Sequence, residues 1–229
     1  MKILAIGAHP DDIEIFMYGL LAVYKNLGNE VFTLIATDGS KGSEKKNKNL
    51  SEIRKNEANL GLKELSKPIF LNIKDGDLIV NDINKKKLTE IIKKILPDLI
   101  VTHYFKDYHS DHSNLSLLVK NISSHYIPIL YCDTMMGVKF DPLFYVDISK
   151  YFQDKVNAIL RHKSQDPKNL VKLATLMNSY RAGQCNASLN TFVEAYSFEK
   201  SFPFSDIRSL IPPPPEINLY NYKNKKGLL

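Results

Sequence analysis

Residue types that bind metal ions are concentrated in two short stretches of the 229-residue chain, residues 9–12 (HPDD) and residues 109–112 (HSDH). In a turn that opens into a helix, side chains three positions apart point toward the same side, so His9 and Asp12 can reach one cation. His112 is the natural third ligand. Two histidines and one carboxylate with open positions are typical of a catalytic metal site, and zinc and ferrous iron both fit this set.

The residues beside these ligands suggest the other parts of a hydrolytic site. Asp11 is free to take a proton from an attacking water and so to act as a general base. His109 can donate a hydrogen bond to negative charge that develops on a substrate oxygen. Asp111, between the two histidines, can orient His109 and keep it protonated. The histidines at positions 103, 125 and 162 are interpreted as satisfied or solvent-exposed residues without a role at the site.

Apolar runs precede both stretches and predict the strands that must position them. A strand over residues 2–7 leads into the first stretch, and a strand over residues 98–103 leads into the second. Strands and helices alternate along the chain, which predicts an α/β fold with a mostly parallel central sheet. Both stretches then follow the carboxyl ends of strands, the edge at which open α/β sheets bind their ligands.

The predicted elements cover most of the chain. Strands are predicted at residues 2–7, 31–36, 69–72, 98–103, 127–132 and 143–148. Helices are predicted at residues 14–27, 50–61, 82–96, 113–123, 149–164 and 169–181. The segment 191–199 fits either a strand or a helix.

Length and composition predict one domain over residues 1–204, followed by a tail over residues 205–229. The tail contains four consecutive prolines and is expected to be mobile or draped over the surface. Cys132 and Cys185 are too few for a disulfide framework, which favours a reducing compartment and a cytoplasmic location.

The sequence has no pattern of a signal peptide and no apolar run near the roughly 20 residues of a membrane span, so we expect no membrane partner.

The net charge is +6 and comes mostly from lysine clusters, which are interpreted as solvated surfaces. A nucleic-acid surface would need arginine and aromatic residues interleaved, so we expect no nucleic-acid partner. The expected partner is a small-molecule substrate, and the charge suits an anionic one. A homo-oligomer is compatible with the sequence.

The two stretches resemble the motifs of the LmbE-like, or PIG-L, family of metal-dependent N-deacetylases. The first family motif, AHPDD followed by glutamate, is similar to residues 8–14, and the second, HxDH, is similar to residues 109–112. Further segments between and after the motifs continue the resemblance: residues 37–39 (TDG), 52–58 (EIRKNEA), 146–149 (VDIS) and 162–165 (HKSQ). The resemblance covers about residues 2–200, and the bacillithiol-pathway branch looks most similar.

The resemblance implies a Rossmann-like three-layer fold and a zinc or iron site. It assigns the metal ligands to His9, Asp12 and His112, the general base to Asp11, and stabilisation of the oxyanion to His109. It further implies two substrate-binding residues, Arg54 and Glu57, and an orienting role for Glu194.

Two positions depart from the family pattern. Tyr18 replaces one glycine of a small, glycine-rich stretch, and Ser110 stands where proline is frequent. Neither change removes a ligand. Tyr18 can alter the packing behind the site or the acyl pocket, so it bears on which substrate is bound.

These observations predict a hydrolase that removes an N-acetyl group from an N-acetylglucosamine-type amino sugar conjugate. One alternative is a non-haem Fe(II) oxygenase, because two histidines and a carboxylate also form the ferrous facial triad. Another is a non-catalytic sugar- or nucleotide-binding protein. The first strand is not followed by GxGxxG, which argues against dinucleotide binding.

Overall fold

The computed structural model describes residues 1–43, 49–123, 125–200, 207–216 and 218. The strands are β1 (Lys2–Gly7), β2 (Glu30–Thr37), β3 (Ile69–Ile73), β4 (Leu99–Thr102), β5 (Ile129–Cys132), β6 (Phe144–Asp147) and β7 (Val193–Phe198). The helices are α1 (Asp12–Phe16), α2 (Tyr18–Asn26), α3 (Leu50–Gly61), α4 (Asp82–Ile95), α5 (Ser110–Ser123), α6 (Phe152–Ile159) and α7 (Pro167–Gln184). Short 3₁₀ turns lie at Met135–Gly137, Ser149–Tyr151, Lys163–Gln165 and Arg208–Leu210.

The seven strands form one sheet in the order β3-β2-β1-β4-β5-β7-β6. The first five are parallel, and Ala5 in β1 lies opposite Thr33 on one side and Val101 on the other. The segment 191–199, which fits either a strand or a helix by sequence, contains strand β7. This strand runs antiparallel between β5 and β6. The predicted α/β fold with a mostly parallel sheet is therefore confirmed.

Helices cover both faces of the sheet and give it three layers. One apolar core lies between the sheet and helices α1, α2, α3, α6 and α7. A second core lies between the opposite face and helices α4 and α5. Strand β1 contributes to both cores because its side chains alternate between the faces: Ile3 and Ala5 point to the first, and Leu4 and Ile6 to the second. Burial on both faces explains why this strand is an uninterrupted apolar run.

Several predicted helices differ from the structure in their bounds. The helix predicted at 14–27 is divided into α1 and α2 at Met17, whose φ of −133° is not helical. The carboxylate of Glu194 accepts hydrogen bonds from the backbone N–H groups of Gly19 and Leu20, and so replaces the helical partners that the break removes. The helix predicted at 113–123 begins earlier, at Ser110. The segment 149–164 contains only two helical turns between 3₁₀ turns.

The described part of the C-terminal tail packs on the domain. Ile207 is buried in the core, and the Tyr24 hydroxyl donates a hydrogen bond of 2.8 Å to the backbone oxygen of Leu210. The Asp147 N–H lies 3.5 Å from the carbonyl oxygen of Pro213, so the proline segment runs beside the edge strand β6. Residues 205–206, 217 and 219–229 of the predicted tail lie outside the described residues, and the division into a domain and a tail stays a prediction. Within the described chain, we find no helix with the length and apolar character of a membrane span.

Candidate metal centre and active site

The candidate site lies at the carboxyl ends of the parallel strands, between β1 and β4. The chain leaves β1 toward β2 on one side and enters β4 on the other, so this is the point where the strand order reverses. Loops after β1, β2, β3, β4 and β5 surround a cleft of about 470 Å³. The residues that line it are His9, Asp11, Asp12, Ile15, Phe16, Lys41, Gly42, Arg54, Asp75, Gly76, Tyr108, His109, Ser110, Asp111, His112, Met135, Gln165 and Leu170.

The structure brings the three predicted metal ligands together. His9 Nδ1 lies 3.4 Å from Asp12 Oδ2, and His112 Nε2 lies 3.3 Å from Asp12 Oδ1. Asp12 and His112 belong to the first turns of α1 and α5, whose N-termini meet at this edge of the sheet. All three side chains are buried. Asp12 thus contacts both histidines, one with each carboxylate oxygen. Among the described residues, the groups of three whose ligand atoms all lie within 4.8 Å of one another are His9 with His109 and His112, Asp12 with His103 and His112, and His9 with Asp75 and Asp111.

Two carboxylates that sequence reasoning did not assign to His9 lie against its other nitrogen. His9 Nε2 is 3.2 Å from Asp111 Oδ2 and 3.5 Å from Asp75 Oδ1. Burial disfavours the charged ring, but hydrogen bonds to Asp111, Asp12 and Asp75 outweigh burial and raise the pKa of His9 to about 12. Asp75 follows β3, and only the fold brings it to this position.

The charges of the site fit a cation. Five carboxylates are buried together here: Asp11, Asp12, Asp75, Asp107 and Asp111. Buried negative charges are costly unless positive charge compensates them. Burial lowers and the neighbouring aspartates raise the pKa of His112, with a net rise to about 9. The cluster therefore favours positive charge beside His9 and His112. A divalent cation bound there would supply it.

His103 contacts the predicted ligands, although the sequence indicated no role for it. It is fully buried, and its Nε2 lies 3.1 Å from Asp12 Oδ2. Its ring stacks on that of His112 with 3.8 Å between the centroids. Burial and the nearby His112 lower the pKa of His103 to about 4, so the ring is neutral at neutral pH. The only sequence signal was its position directly after strand β4.

Asp107 is the second residue that sequence reasoning missed. Its Oδ2 lies 3.0 Å from His112 Nδ1, and its Oδ1 accepts a hydrogen bond of 2.9 Å from the His109 backbone N–H. Histidine ligands commonly donate their other ring N–H to a carboxylate, which fixes the tautomer and the ring orientation. A carboxylate in the loop before the second motif was the available signal.

Asp11 occupies a strained backbone position beside a buried arginine. Its φ of 130° lies where residues other than glycine are uncommon. Its Oδ2 lies 3.1 Å from Arg54 Nη2. Burial raises the pKa of the Asp11 carboxyl, and the charge of Arg54 opposes that rise. A carboxyl with a raised pKa is a stronger base than a solvent-exposed aspartate.

Arg54, a predicted substrate-binding residue, lines the cleft but is also held by the protein. Besides Asp11, its guanidinium donates to the backbone oxygens of Pro10 and Gly39, at 2.8 and 3.1 Å. A Cβ atom at Gly42 would overlap Arg54 Nη1, so the loop after β2 needs glycine there to pass over the guanidinium. Arg54 thus joins the loops after β1 and β2.

The second motif is arranged differently from the prediction. The Asp111 carboxylate faces His9 and accepts from the Gly76 N–H at 3.1 Å, so it does not orient the His109 ring. Instead the backbone N–H of Asp111 donates to His109 Nδ1 at 3.2 Å. Burial and the charges of His112 and His9 lower the pKa of His109. A neutral ring that accepts at Nδ1 carries its proton on Nε2 and remains a hydrogen-bond donor.

Glu57, the other predicted substrate-binding residue, is not among the residues that line the cleft. Both of its carboxylate oxygens accept hydrogen bonds from Ser164, one from the backbone N–H at 2.9 Å and one from the hydroxyl at 2.6 Å. The next residue, Gln165, does line the cleft.

A buried ion pair lies behind Asp11. Glu14 and His162 are both fully buried, with 2.7 Å between Glu14 Oε1 and His162 Nε2. Burial lowers and Glu14 raises the pKa of His162, with a net rise. A Cβ atom at Gly61 would lie 2.5 Å from Glu14 Oε1, so α3 can approach the pair only with glycine there.

Glu194, for which an orienting role was expected, contacts none of the predicted ligands directly. Besides the start of α2, it accepts hydrogen bonds from Lys155 Nζ at 2.7 Å and from the Tyr196 hydroxyl at 2.7 Å. Tyr18, at the start of α2, lies on a separate depression between α3 and α6 and not in the cleft.

The chain is similar to known proteins both in sequence and in structure. The family model described as PIG-L, GlcNAc-PI de-N-acetylase, matches residues 4–123. A diacetylchitobiose deacetylase of Thermococcus kodakarensis is 27% identical over 197 residues, which is 75% of this chain and 73% of the relative. The uncharacterized deacetylase YaiS of Escherichia coli is 30% identical over 172 residues, 71% of this chain and 90% of the relative. Among solved structures, the 4-carboxy-2-hydroxymuconate hydratase GalB of Pseudomonas putida superposes with a TM-score of 0.78 at 18% identity, over 90% of this chain and 98% of its own.

Proposed function

Since the chain belongs to the PIG-L family, we propose that it is a metal-dependent hydrolase that removes an N-acetyl group from an N-acetylglucosamine-type amino sugar conjugate. The observation that carries this proposal is the contact of His9 and His112 with the two carboxylate oxygens of Asp12, with Asp11 and His109 beside them in one cleft. The sequence relatives named as deacetylases support the reaction type. The sugar is inferred from the family description and from the diacetylchitobiose of one relative.

His9, Asp12 and His112 would hold the metal ion. A bound zinc or ferrous ion lowers the pKa of water toward neutrality and polarises a carbonyl oxygen. Asp107 contacts the distal nitrogen of His112, while Asp75 and Asp111 contact that of His9, so both imidazoles are held in a fixed orientation. His103 Nε2 also lies 3.1 Å from the carboxylate of Asp12, and it accepts a hydrogen bond from the backbone N–H of Ala8.

Asp11 acts as the proton carrier. It takes a proton from the attacking water as the new bond to the acetyl carbon forms, and its raised pKa favours that transfer. The carboxylic acid so formed then gives the proton to the departing amine, so that acetate and a free amine result. Arg54, 3.1 Å from Asp11, fixes the carboxylate in place through both steps.

His109 stabilises the negative charge that develops on the acetyl oxygen. It lines the same cleft, with its ring centroid 4.7 Å from that of His112. The Asp111 N–H occupies its Nδ1, so the Nε2–H is available to donate to the oxyanion. The lowered pKa of His109 favours this neutral form.

The fold itself does not distinguish amide hydrolysis from other water chemistry, because a hydratase shares it. The decisive experiment is therefore a product assay. The protein is loaded with zinc or with ferrous iron and incubated with a panel of N-acetylglucosamine derivatives, and acetate and free amine are measured. Equal amounts of acetate and amine are expected. Oxygen uptake without acetate would instead indicate an oxygenase, and binding without turnover a sugar-binding protein.

The Asp11→Asn variant tests the role of the base within the same assay. Asparagine has the same shape but takes no proton, so kcat is expected to fall by about 100-fold or more while metal content is unchanged. Asp77→Asn, an exposed change in the turn after β3, serves as the matched control. Full turnover in Asp11→Asn would refute the assignment of the base.

A further inference from the structure

Helix α3 holds the 3₁₀ turn Lys163–Gln165 in a fixed position through one glutamate. Glu57 is buried, and its two carboxylate oxygens accept from the backbone N–H and the hydroxyl of Ser164. Hydrogen bonds to a carboxylate are stronger than those between neutral groups. Because the Ser164 hydroxyl has one proton and donates it to Glu57, its lone pairs are left to accept a hydrogen bond from elsewhere.

Gln165 donates that hydrogen bond. Its Nε2 lies 3.1 Å from Ser164 Oγ and 2.9 Å from the carbonyl oxygen of Ser164. Both partners act as acceptors here, so the nitrogen and not the oxygen of the amide must face them. The orientation of the Gln165 amide is therefore determined by Glu57 through Ser164.

The oxygen of this amide is turned toward the cleft. Gln165 lines the cleft, and its Oε1 would lie 3.0 Å from a Cβ atom placed at Gly42. Arg54 lies against the same glycine and contacts Asp11 on its other side. Within the described residues, no hydrogen bond reaches Gln165 Oε1, so a cleft-facing acceptor is available for a ligand.

We propose that Gln165 is a substrate-binding residue whose Oε1 accepts a hydrogen bond from a ring hydroxyl of the sugar, and that Glu57 is the positioning residue that fixes this acceptor. The inference rests on the proposed function. The amide that reacts lies at Asp11 and the metal ligands. Gln165 Oε1 lies at Gly42 beside Arg54, and among the described residues Gln165 forms hydrogen bonds with Ser164 and with none of these groups. The group within its reach is therefore the sugar and not the acetyl group, which gives Glu57 an indirect place in substrate binding.

The test is a double-mutant cycle between enzyme and substrate. The best N-acetylglucosamine derivative of the product assay is compared with its 3-deoxy, 4-deoxy and 6-deoxy analogues, using kcat/KM for acetate release. Gln165→Ala is expected to lower kcat/KM by about 2- to 10-fold on the parent and on two analogues, as for the loss of one hydrogen bond. On the third analogue, which lacks the contacted hydroxyl, the variant and the wild type should be equal.

Further variants separate contact from folding. Gln165→Met keeps the length of the side chain and should reproduce the pattern of Gln165→Ala at the wild-type Tm. Glu57→Ala should show a weaker version of the same substrate pattern, and Glu57→Gln, which retains an acceptor for Ser164, should restore most of it. Gln153→Ala, on the exposed face of α6, is the control and should change no ratio.

Equal penalties on the parent and all three analogues would overturn the contact of Gln165. A Glu57→Ala defect that is equal on every substrate would overturn its positioning role. A wild type that releases acetate yet shows no such pattern refutes only this inference. A wild type that releases no acetate from any derivative refutes the proposed function and this inference with it.

Discussion

Replacing Asp107 by asparagine should weaken metal binding without unfolding the protein. The asparagine oxygen can still accept from the His109 N–H, which lies 2.9 Å from Asp107 Oδ1. The amide nitrogen then faces His112 Nδ1 in place of the carboxylate oxygen, now 3.0 Å away. Two N–H groups would oppose each other there, unless His112 moves its proton to Nε2. That nitrogen points at Asp12 and is the one that would bind the metal, so the favoured tautomer is the wrong one.

The expected loss of metal affinity follows from the contact that the substitution removes. Only one of the two Asp107 contacts is lost, and changes to such supporting carboxylates typically reduce metal affinity by about 10- to 100-fold. This corresponds to about 1.4–2.8 kcal/mol. Competition with a chromophoric zinc chelator measures the Kd, and a thermal melt checks the fold. Asp77→Asn is the matched control, since Asp77 is exposed. A zinc Kd in Asp107→Asn equal to that of wild type would refute the orientation of His112 by Asp107.

Three further changes test other parts of the molecule. His112→Ala is expected to abolish stoichiometric metal binding, and metal still present by elemental analysis would contradict the ligand role. His162→Gln should destabilise the protein most at low pH. Because folding raises the pKa of His162, its contribution is complete below about pH 6.5 and is lost as the pH rises through the folded value, so urea melts should converge at alkaline pH. Gly61→Ala should cost about 1–3 kcal/mol, because the new Cβ would lie 2.5 Å from Glu14 Oε1, and an unchanged urea midpoint would contradict this.

The regular strands and helices could be predicted from the sequence, because their apolar residues recur with a fixed period. The apolar run of β1 and the alternation of strands with helices predict a parallel sheet, and the two motifs follow two of its strands. Their meeting between β1 and β4 also follows, because the carboxyl ends of parallel strands share one edge. The assignment of His9, Asp12 and His112 as ligands stays a prediction, and their proximity in the structure is consistent with it.

The supporting contacts could not be predicted, because they depend on tertiary geometry. Asp75 reaches His9 only through the loop after β3, and His103 reaches Asp12 only because β1 and β4 are neighbours. The Asp111 side chain contacts His9, which lies 102 residues away in the sequence, so only the tertiary fold brings the two together. The break at Met17 was likewise hidden, since the residue that caps α2, Glu194, is remote in sequence.

The strained backbone at Asp11 implies a conflict between selection for activity and selection for stability. Positive-φ conformations such as this one cost about 1–3 kcal/mol in residues other than glycine. Glycine at this position would relax the turn while removing the proposed proton carrier. A library screened only for heat resistance would therefore enrich inactive sequences at position 11, and a directed-evolution campaign on this protein needs an activity filter in every round.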